Sequence, residues 1–281
     1  RGAGAEAAGA AGEAAAGEAA ALPSGGAATR RARASAPRVA LFTGCASEFV
    51  YPEESRAAVR LLRAKGASVV YPGELGCCGL PAQASGWRRI SREMAARNAG
   101  ILDRVDADWI VSPCPSCASH LRNGYPRILD GDAVAGPKAL AAAGRVADLA
   151  WLLKEVLGYG PDDFARDGER VAFHSSCHQC RGLGGGGAAR ELLRDAAEYV
   201  ETSAEDLCCG FGGAYSLKFP ETSAAIMERK LKSVEGAGVQ ALVAFCPGCV
   251  MQLRGGEDRR GKAVRVEHAA EFLAGRLRAG T

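Results

Sequence analysis

Long apolar runs are missing from this 281-residue chain: no stretch of 18 or more hydrophobic residues occurs, so no membrane-spanning helix is expected. A strong excess of either charge is missing too. The net charge is +3, and Lys and Arg form no dense blocks, which gives no electrostatic case for nucleic acid or a membrane surface as the main partner. The chain has no P-loop lysine, no defensible Ser/His/Asp arrangement and no cubane-type ferredoxin run of cysteines. The apolar h-region of a secretory signal is also absent. What is present is 48% hydrophobic and 24% charged, which excludes a wholly disordered or collagen-like chain. The length suits two domains of moderate size.

Cysteine is the unusual component. The chain has 11, about 4% of its residues and well below the share in small disulfide scaffolds. An odd count leaves a thiol over if all the others pair. Together with the absent secretory signal, it points to a reducing, cytoplasmic setting.

Residues 1–37 are low in complexity, with Ala and Gly at 24 positions and no large apolar residue before Leu22. This stretch reads as a linker or loosely helical tail with nothing to dock by. Because the chain opens on Arg1 rather than Met, a piece of a longer protein is the expectation. Order begins at Arg38. Val39–Phe42 reads as a buried strand running to Cys45, and Pro52-Glu53-Glu54 opens a helix that ends before Gly66. Ala67–Tyr71 is a second strand, delivering Cys77-Cys78-Gly79. A helix follows with Ile90, Met94, Ile101 and Val105 on about one face, and then Trp109–Val111 leads into Cys114-Pro115-Ser116-Cys117.

The pattern then repeats. Val171–Phe173 is a strand ending at Cys177, Ala188–Ala197 a helix and Tyr199-Val200 a strand before Cys208-Cys209-Gly210. A helix carries Ala224, Met227, Leu231 and Val234 at helical spacing, and the strand Ala241–Phe245 precedes Cys246-Pro247-Gly248-Cys249. The five cysteine pairs are separated by 132, 131, 131, 132 and 132 residues, a register that marks an internal duplication. Strands alternating with helices imply an α/β fold of two βαβ-type domains with mostly parallel sheets, related by a pseudo-two-fold. The domains expected are 38–145 and 146–281, with a helix-like Val146–Leu157 connecting them and a closing strand and helix over Val264–Leu277. In such sheets ligands sit at the carboxyl ends of the strands, where each set of five cysteines would gather.

Disulfides explain the cysteines poorly. Adjacent residues have Cα atoms about 3.8 Å apart, shorter than a bridge prefers, so Cys77–Cys78 and Cys208–Cys209 do not suit each other. Zinc takes four ligands, which leaves one of five without a role in each half. A thioredoxin-type redox pair leaves Cys45, Cys77 and Cys78 unused. An iron–sulfur cluster uses the whole set, because it prefers soft sulfur ligands and accepts them from separate loops. Each Cys-x-x-Cys lies at a strand-to-helix turn, where free N–H groups favour thiolate. Gly79 and Gly210 permit close backbone approach and N–H bonds to sulfur.

The motifs Cys45-x31-Cys77-Cys78-Gly79-x34-Cys114-x-x-Cys117 and Cys177-x30-Cys208-Cys209-Gly210-x35-Cys246-x-x-Cys249 resemble the tandem cysteine-rich "CCG" domains. Such domains occur in the cysteine-rich component of heterodisulfide reductases and in iron–sulfur subunits of glycolate oxidase, lactate-utilisation and anaerobic glycerol-3-phosphate dehydrogenase complexes. The likeness runs over about residues 38–278. His174-Ser175-Ser176-Cys177-His178 and the stretch Cys209–Ser216, followed by Lys218 and Pro220, look most like the lactate and glycolate subunits, whereas the complete Cys246/Cys249 pair leans toward the heterodisulfide reductases.

The resemblance implies that Cys45, Cys77, Cys78, Cys114 and Cys117 hold one noncubane [4Fe–4S] cluster, and Cys177, Cys208, Cys209, Cys246 and Cys249 a second. It implies an electron-transfer subunit of a flavin-linked lactate or glycolate dehydrogenase complex. The implied partners are a flavoprotein, a ferredoxin-type iron–sulfur subunit or domain, and a quinone-reducing partner met peripherally at the inner membrane face. The alternatives are a heterodisulfide-reductase-like enzyme reducing a disulfide at a noncubane cluster, and a zinc-stabilised binding module.

Other signals are weaker. Cys180 has ligand spacing from Cys177 but is surplus to five. His174 and His178 flank Cys177 and are read as hydrogen-bonding near the site rather than ligating. Lys218 is read as an exposed lysine or an offset to cluster charge. Gly182–Gly187 matches G-x-G-x-x-G, yet it does not follow its strand directly, so a flexible loop is expected rather than a dinucleotide site.

Overall fold

Each half forms a four-stranded, all-parallel sheet in a computed structural model that describes residues 36–261 and 264–278. The tail read over 1–37 therefore lies almost wholly outside the described residues. In the first sheet β1 (Arg38–Leu41), β2 (Ser68–Val70), β3 (Trp109–Val111) and β4 (Val146–Ala147) are ordered β2-β1-β3-β4. In the second, β5 (Arg170–Phe173), β6 (Glu198–Tyr199), β7 (Ala241–Ala244) and β8 (Arg265–His268) are ordered β6-β5-β7-β8. The duplication read from cysteine spacing thus holds at the level of topology.

The strand alternation builds two layers on each sheet. Val39, Leu41, Trp109 and Val111 enter one large core, together with Val171, Phe173, Ala241 and Val243 of the other half. Fully burying side chains of this size contributes about 1.5–3 kcal/mol each, so the halves share their principal stabilising element. The intervening residues face outward into separate clusters. Ala40, Phe42 and Ile110 lie with Cys78, Cys114 and Cys117, and Ala172, Leu242 and Ala244 with Cys209, Cys246 and Cys249.

The stretch Val146–Leu157 differs from its helical reading. Val146 and Ala147 pair with Ile110 and Val111 as β4, because the chain must first complete the first sheet. Asp148 then caps a short helix by accepting from the Trp151 N–H at 3.0 Å, and a π-helical turn follows over Leu152–Val156. The segment ends in the shared core, where the Tyr159 hydroxyl donates to the Leu61 carbonyl at 2.7 Å.

The long helices depart from their apolar readings as well. Arg88–Arg104 buries Ser91, Ala95, Asn98, Ala99, Ile101 and Leu102, whereas Ile90, Met94 and Val105 are only half-buried. Pro220–Glu235 buries Ser223, Met227, Lys230, Leu231 and Val234, and Ala224 is exposed. Small and polar residues occupy these faces because the helices press against the loops that carry the paired cysteines.

Candidate metal centre

Every motif cysteine follows a strand. Cys45 lies beyond β1, Cys77 and Cys78 beyond β2, and Cys114 and Cys117 beyond β3; β5, β6 and β7 deliver Cys177, Cys208/Cys209 and Cys246/Cys249. The central strand of each sheet has its sequential neighbour on one side and the next crossover on the other, so the loops part at that point and leave room for a ligand. Two glycines permit the close approach. At Gly44 (φ +69°) a Cβ would sit 2.8 Å from Cys117 Sγ, and at Gly210 (φ +86°) one would sit 2.4 Å from the Ser223 carbonyl oxygen.

The thiols form an unbroken series in which each acts on the ionisation of the next. In the first half it runs Cys45–Cys77–Cys78–Cys117–Cys114. In the second it runs Cys177–Cys208–Cys209–Cys249–Cys246, with Cys209 Sγ and Cys249 Sγ 3.2 Å apart. The two series adjoin where Cys114 and Cys246 shift each other's ionisation. All eleven cysteines are free thiols. Ser116 Oγ, from the first Cys-x-x-Cys, lies 3.6 Å from Cys246 Sγ and 3.1 Å from His178 Nδ1.

Thiols packed this closely cannot all ionise against one another. The Cys45 contact pulls Cys77 below the ordinary thiol range, and the reciprocal contact pushes Cys45 up; Cys177 and Cys208 repeat the pattern. Cys117 is raised by Cys114, and Cys249 by Cys209, each with burial adding to the effect. Backbone N–H groups supply part of the stabilisation. Gly79 N donates to Cys77 Sγ at 3.5 Å and Gly210 N to Cys208 Sγ at 3.3 Å, the bonds expected of these two glycines. Full ionisation of either five requires cationic charge among the sulfurs. Soft donors in that number, with N–H groups facing them, fit an iron–sulfur group better than a four-coordinate zinc ion.

Around the sulfurs, His174 is fully buried with neither ring nitrogen hydrogen-bonded, and a ring nitrogen lies within 4.8 Å of both Cys209 Sγ and Cys249 Sγ. Burial, and then the Lys230 charge, pull it down to about 3. His178 is exposed, as is Lys218. Cys180 Sγ faces the Cys177 carbonyl at 3.8 Å. The glycine-rich turn is a contact between halves. A Cβ at Gly182 would meet Ser119 Oγ at 2.3 Å, one at Gly185 would meet the Asp148 carboxyl at 2.3 Å, and the Gly182 carbonyl accepts from Asn123 Nδ2 at 2.8 Å.

Two further residues near the sulfurs belong to no sequence motif. His120 is buried beside Cys77 in a π-helical turn (His120–Gly124), and burial, then His178, pull it down to about 4. Lys230 is buried behind Cys209 and Cys249, and burial lowers it to about 8. A lysine inside an otherwise apolar helical stripe was the available signal for the second.

A duplicated parallel α/β scaffold with five cysteines at the carboxyl edge of each sheet defines a tandem, thiolate-rich protein. The family model for the cysteine-rich CCG domain matches it twice, over residues 39–122 and 171–254, and the chain belongs to that family. It is similar to Lactate utilization protein A of an Exiguobacterium species, with 34% identity covering 84% of this chain and 97% of that one. Lactate utilization protein A of a Geobacillus species is 34% identical over 85% of this chain and all of that one. Among solved structures, an aspartate racemase homologue from Pyrococcus horikoshii aligns with 85% of the chain at 12% identity and a TM-score of 0.33, from which nothing about the site follows. No helix among the described residues is long and apolar enough to cross a membrane.

Proposed function

We propose that the chain is the iron–sulfur electron-transfer subunit of a flavin-linked dehydrogenase complex that oxidises a 2-hydroxy acid, lactate or glycolate. Cys45, Cys77, Cys78, Cys114 and Cys117 hold one [4Fe–4S] group of noncubane type, and Cys177, Cys208, Cys209, Cys246 and Cys249 hold a second. The observation that carries this reading is the gathering of five cysteines beyond the carboxyl ends of each parallel sheet, with Cys209 Sγ and Cys249 Sγ 3.2 Å apart. Such groups, when bound, take up and release electrons one at a time. The names of the relatives support lactate as the substrate of the complex.

The residues of this chain bind and insulate. Gly79 and Gly210 donate N–H groups to sulfur, and Tyr125, Asn98 and Ser223 fix the carbonyls of the paired-cysteine loops. Hydride abstraction from the hydroxy acid belongs to a partner flavoprotein, which accepts two electrons together and releases them singly. A ferredoxin-type subunit or domain and a peripheral quinone-reducing partner would carry them onward, in the cytoplasm or at the inner face of its membrane. The test is reduction of the reconstituted chain by lactate through a lactate-oxidising flavoprotein, followed as loss of visible absorbance. Iron-loaded protein that no lactate- or glycolate-oxidising flavoprotein reduces, but that turns over disulfides with an artificial donor, would replace this reading with the heterodisulfide-reductase-like one.

A further inference from the structure

The two halves are not chemically equal. The register that aligns Cys45 with Cys177 also aligns Phe42 with His174, and matching hydrogen bonds make that equivalence physical. Phe42 N donates to the Val111 carbonyl at 2.8 Å, and His174 N donates to the Val243 carbonyl at 2.9 Å. The helices align in the same way. Ser91 lies against Gly79 and Ser223 against Gly210, and two turns further on Asn98 is the counterpart of Lys230. The first half therefore places a benzyl ring and a neutral amide where the second places an imidazole and an ammonium.

Both second-half groups have unmet needs. His174 has two unpartnered nitrogens at 0% exposure beside Cys209 and Cys249. Lys230, also at 0% exposure, donates to the carbonyls of Ala204 at 2.7 Å and Glu205 at 3.1 Å. The nearby carboxylates of Glu205 and Asp206 are taken by Arg190, at 2.7 and 3.2 Å. The phenol of Tyr199 also donates to Glu205. Asn98, by contrast, is fully engaged: Nδ2 donates to the Cys77 carbonyl and the Tyr125 hydroxyl, and Oδ1 accepts from Gly76 N. A buried ammonium without its own carboxylate, and an imidazole with no partner, are both accounted for by an anionic group held at Cys209 and Cys249.

We propose that His174 and Lys230 make the iron–sulfur group of the second quintet the more easily reduced of the two, so that it is the electron sink of the pair. The inference rests on the reading that both quintets hold such groups. An added electron adds negative charge, which a buried cation and an N–H donor stabilise strongly in a low-dielectric setting. With both groups bound, an electron passing from the first to the second would oxidise the first by one unit and reduce the second by one. No proton or further reactant is required.

The test is a potentiometric titration, followed by electron paramagnetic resonance, of the anaerobically reconstituted full chain. Cys78→Ala and Cys209→Ala assign the two signals. The signal lost in Cys209→Ala is expected at the higher potential in the unaltered protein. His174→Phe and Lys230→Asn install the first half's residues. Each should make reduction of that signal about tenfold less favourable, about 59 mV for one electron, and leave the other signal in place. Lys230→Arg should retain the potential, and Phe42→His should raise that of the first signal.

A first signal at the higher potential would overturn the inference, as would a second signal unmoved in His174→Phe and Lys230→Asn at full iron content. Should Lys230→Asn fail to fold, the order of the two potentials in the unaltered protein and the His174→Phe shift still decide. Failure to bind iron and sulfide at all would instead defeat the underlying reading of the site.

Discussion

Replacing Gly210 by Ala separates two costs that a paired-cysteine loop can carry. Gly79 and Gly210 occupy the same place in the two halves, with φ of +88° and +86°. Either substitution forces an L-residue into the left-handed region, which costs about 1–2 kcal/mol. The space around them differs. A Cβ at Gly79 would meet Ser91 O and Oγ at 3.3 Å, which a small shift relieves. A Cβ at Gly210 would lie 2.4 Å from the Ser223 carbonyl and 3.1 Å from Met227 N, both helix backbone. Moving that helix adds about 1–3 kcal/mol of overpacking. It also strains the bond from Ser223 Oγ to the Gly210 carbonyl, now 2.8 Å, which is worth about 1 kcal/mol. Gly79→Ala should therefore cost about 1–2 kcal/mol and Gly210→Ala about 3–6 kcal/mol. At about 2–4 °C per kcal/mol, the Tm of metal-free protein should fall clearly further for Gly210→Ala when followed by circular dichroism. Equal drops for the two variants would refute the packing difference between the halves.

Other contacts give outcomes of the same kind. Cys78→Ser and Cys209→Ser should each lose about half of the bound iron and leave the remaining absorbance intact, as elemental analysis and visible spectra would show. Tyr159→Phe removes the donor to the Leu61 carbonyl inside the shared core; denaturant unfolding should register a loss of about 1–2 kcal/mol. Burial, opposed by the Ser47 hydroxyl, raises Glu54 to about 8 from an ordinary 4.5. The folded protein thus holds that proton more tightly than the unfolded chain. Its contribution is full below about 4.5 and is lost as pH rises toward about 8. Glu54→Gln should flatten the pH dependence of Tm in metal-free protein over that interval.

Much of the architecture was readable because it is periodic. Val39–Phe42 and Ala241–Phe245 announce buried parallel strands by composition, and the near-constant cysteine offsets announce the duplication. What escaped was tertiary. Val146 and Ala147 carry too short an apolar signal to declare themselves a strand, and they become one only by pairing with β3. Ser91, Asn98, Ser223 and Lys230 break the apolar stripes on which helix faces are judged, yet they face inward: Asn98, Ser223 and Lys230 hydrogen-bond the chain around the paired cysteines, and Ser91 leaves room for the close approach of Gly79. Gly182–Gly187 matches a dinucleotide fingerprint and reads as a flexible loop, but its Gly182 and Gly185 serve the approach of Ser119 and Asp148 from elsewhere in the chain. The approach of Ser116 Oγ to Cys246 Sγ at 3.6 Å joins residues 130 positions apart and has no local signature.

Every functional step above requires both sets of five sulfurs to bind iron together with inorganic sulfide. Iron, zinc and acid-labile sulfide should be measured on the anaerobically reconstituted chain, with Mössbauer spectra of the same sample. Two occupied quintets would give iron and sulfide in near-equal amounts, divided between two spectroscopically distinct groups. Stoichiometric zinc with neither iron nor sulfide would contradict the iron–sulfur assignment.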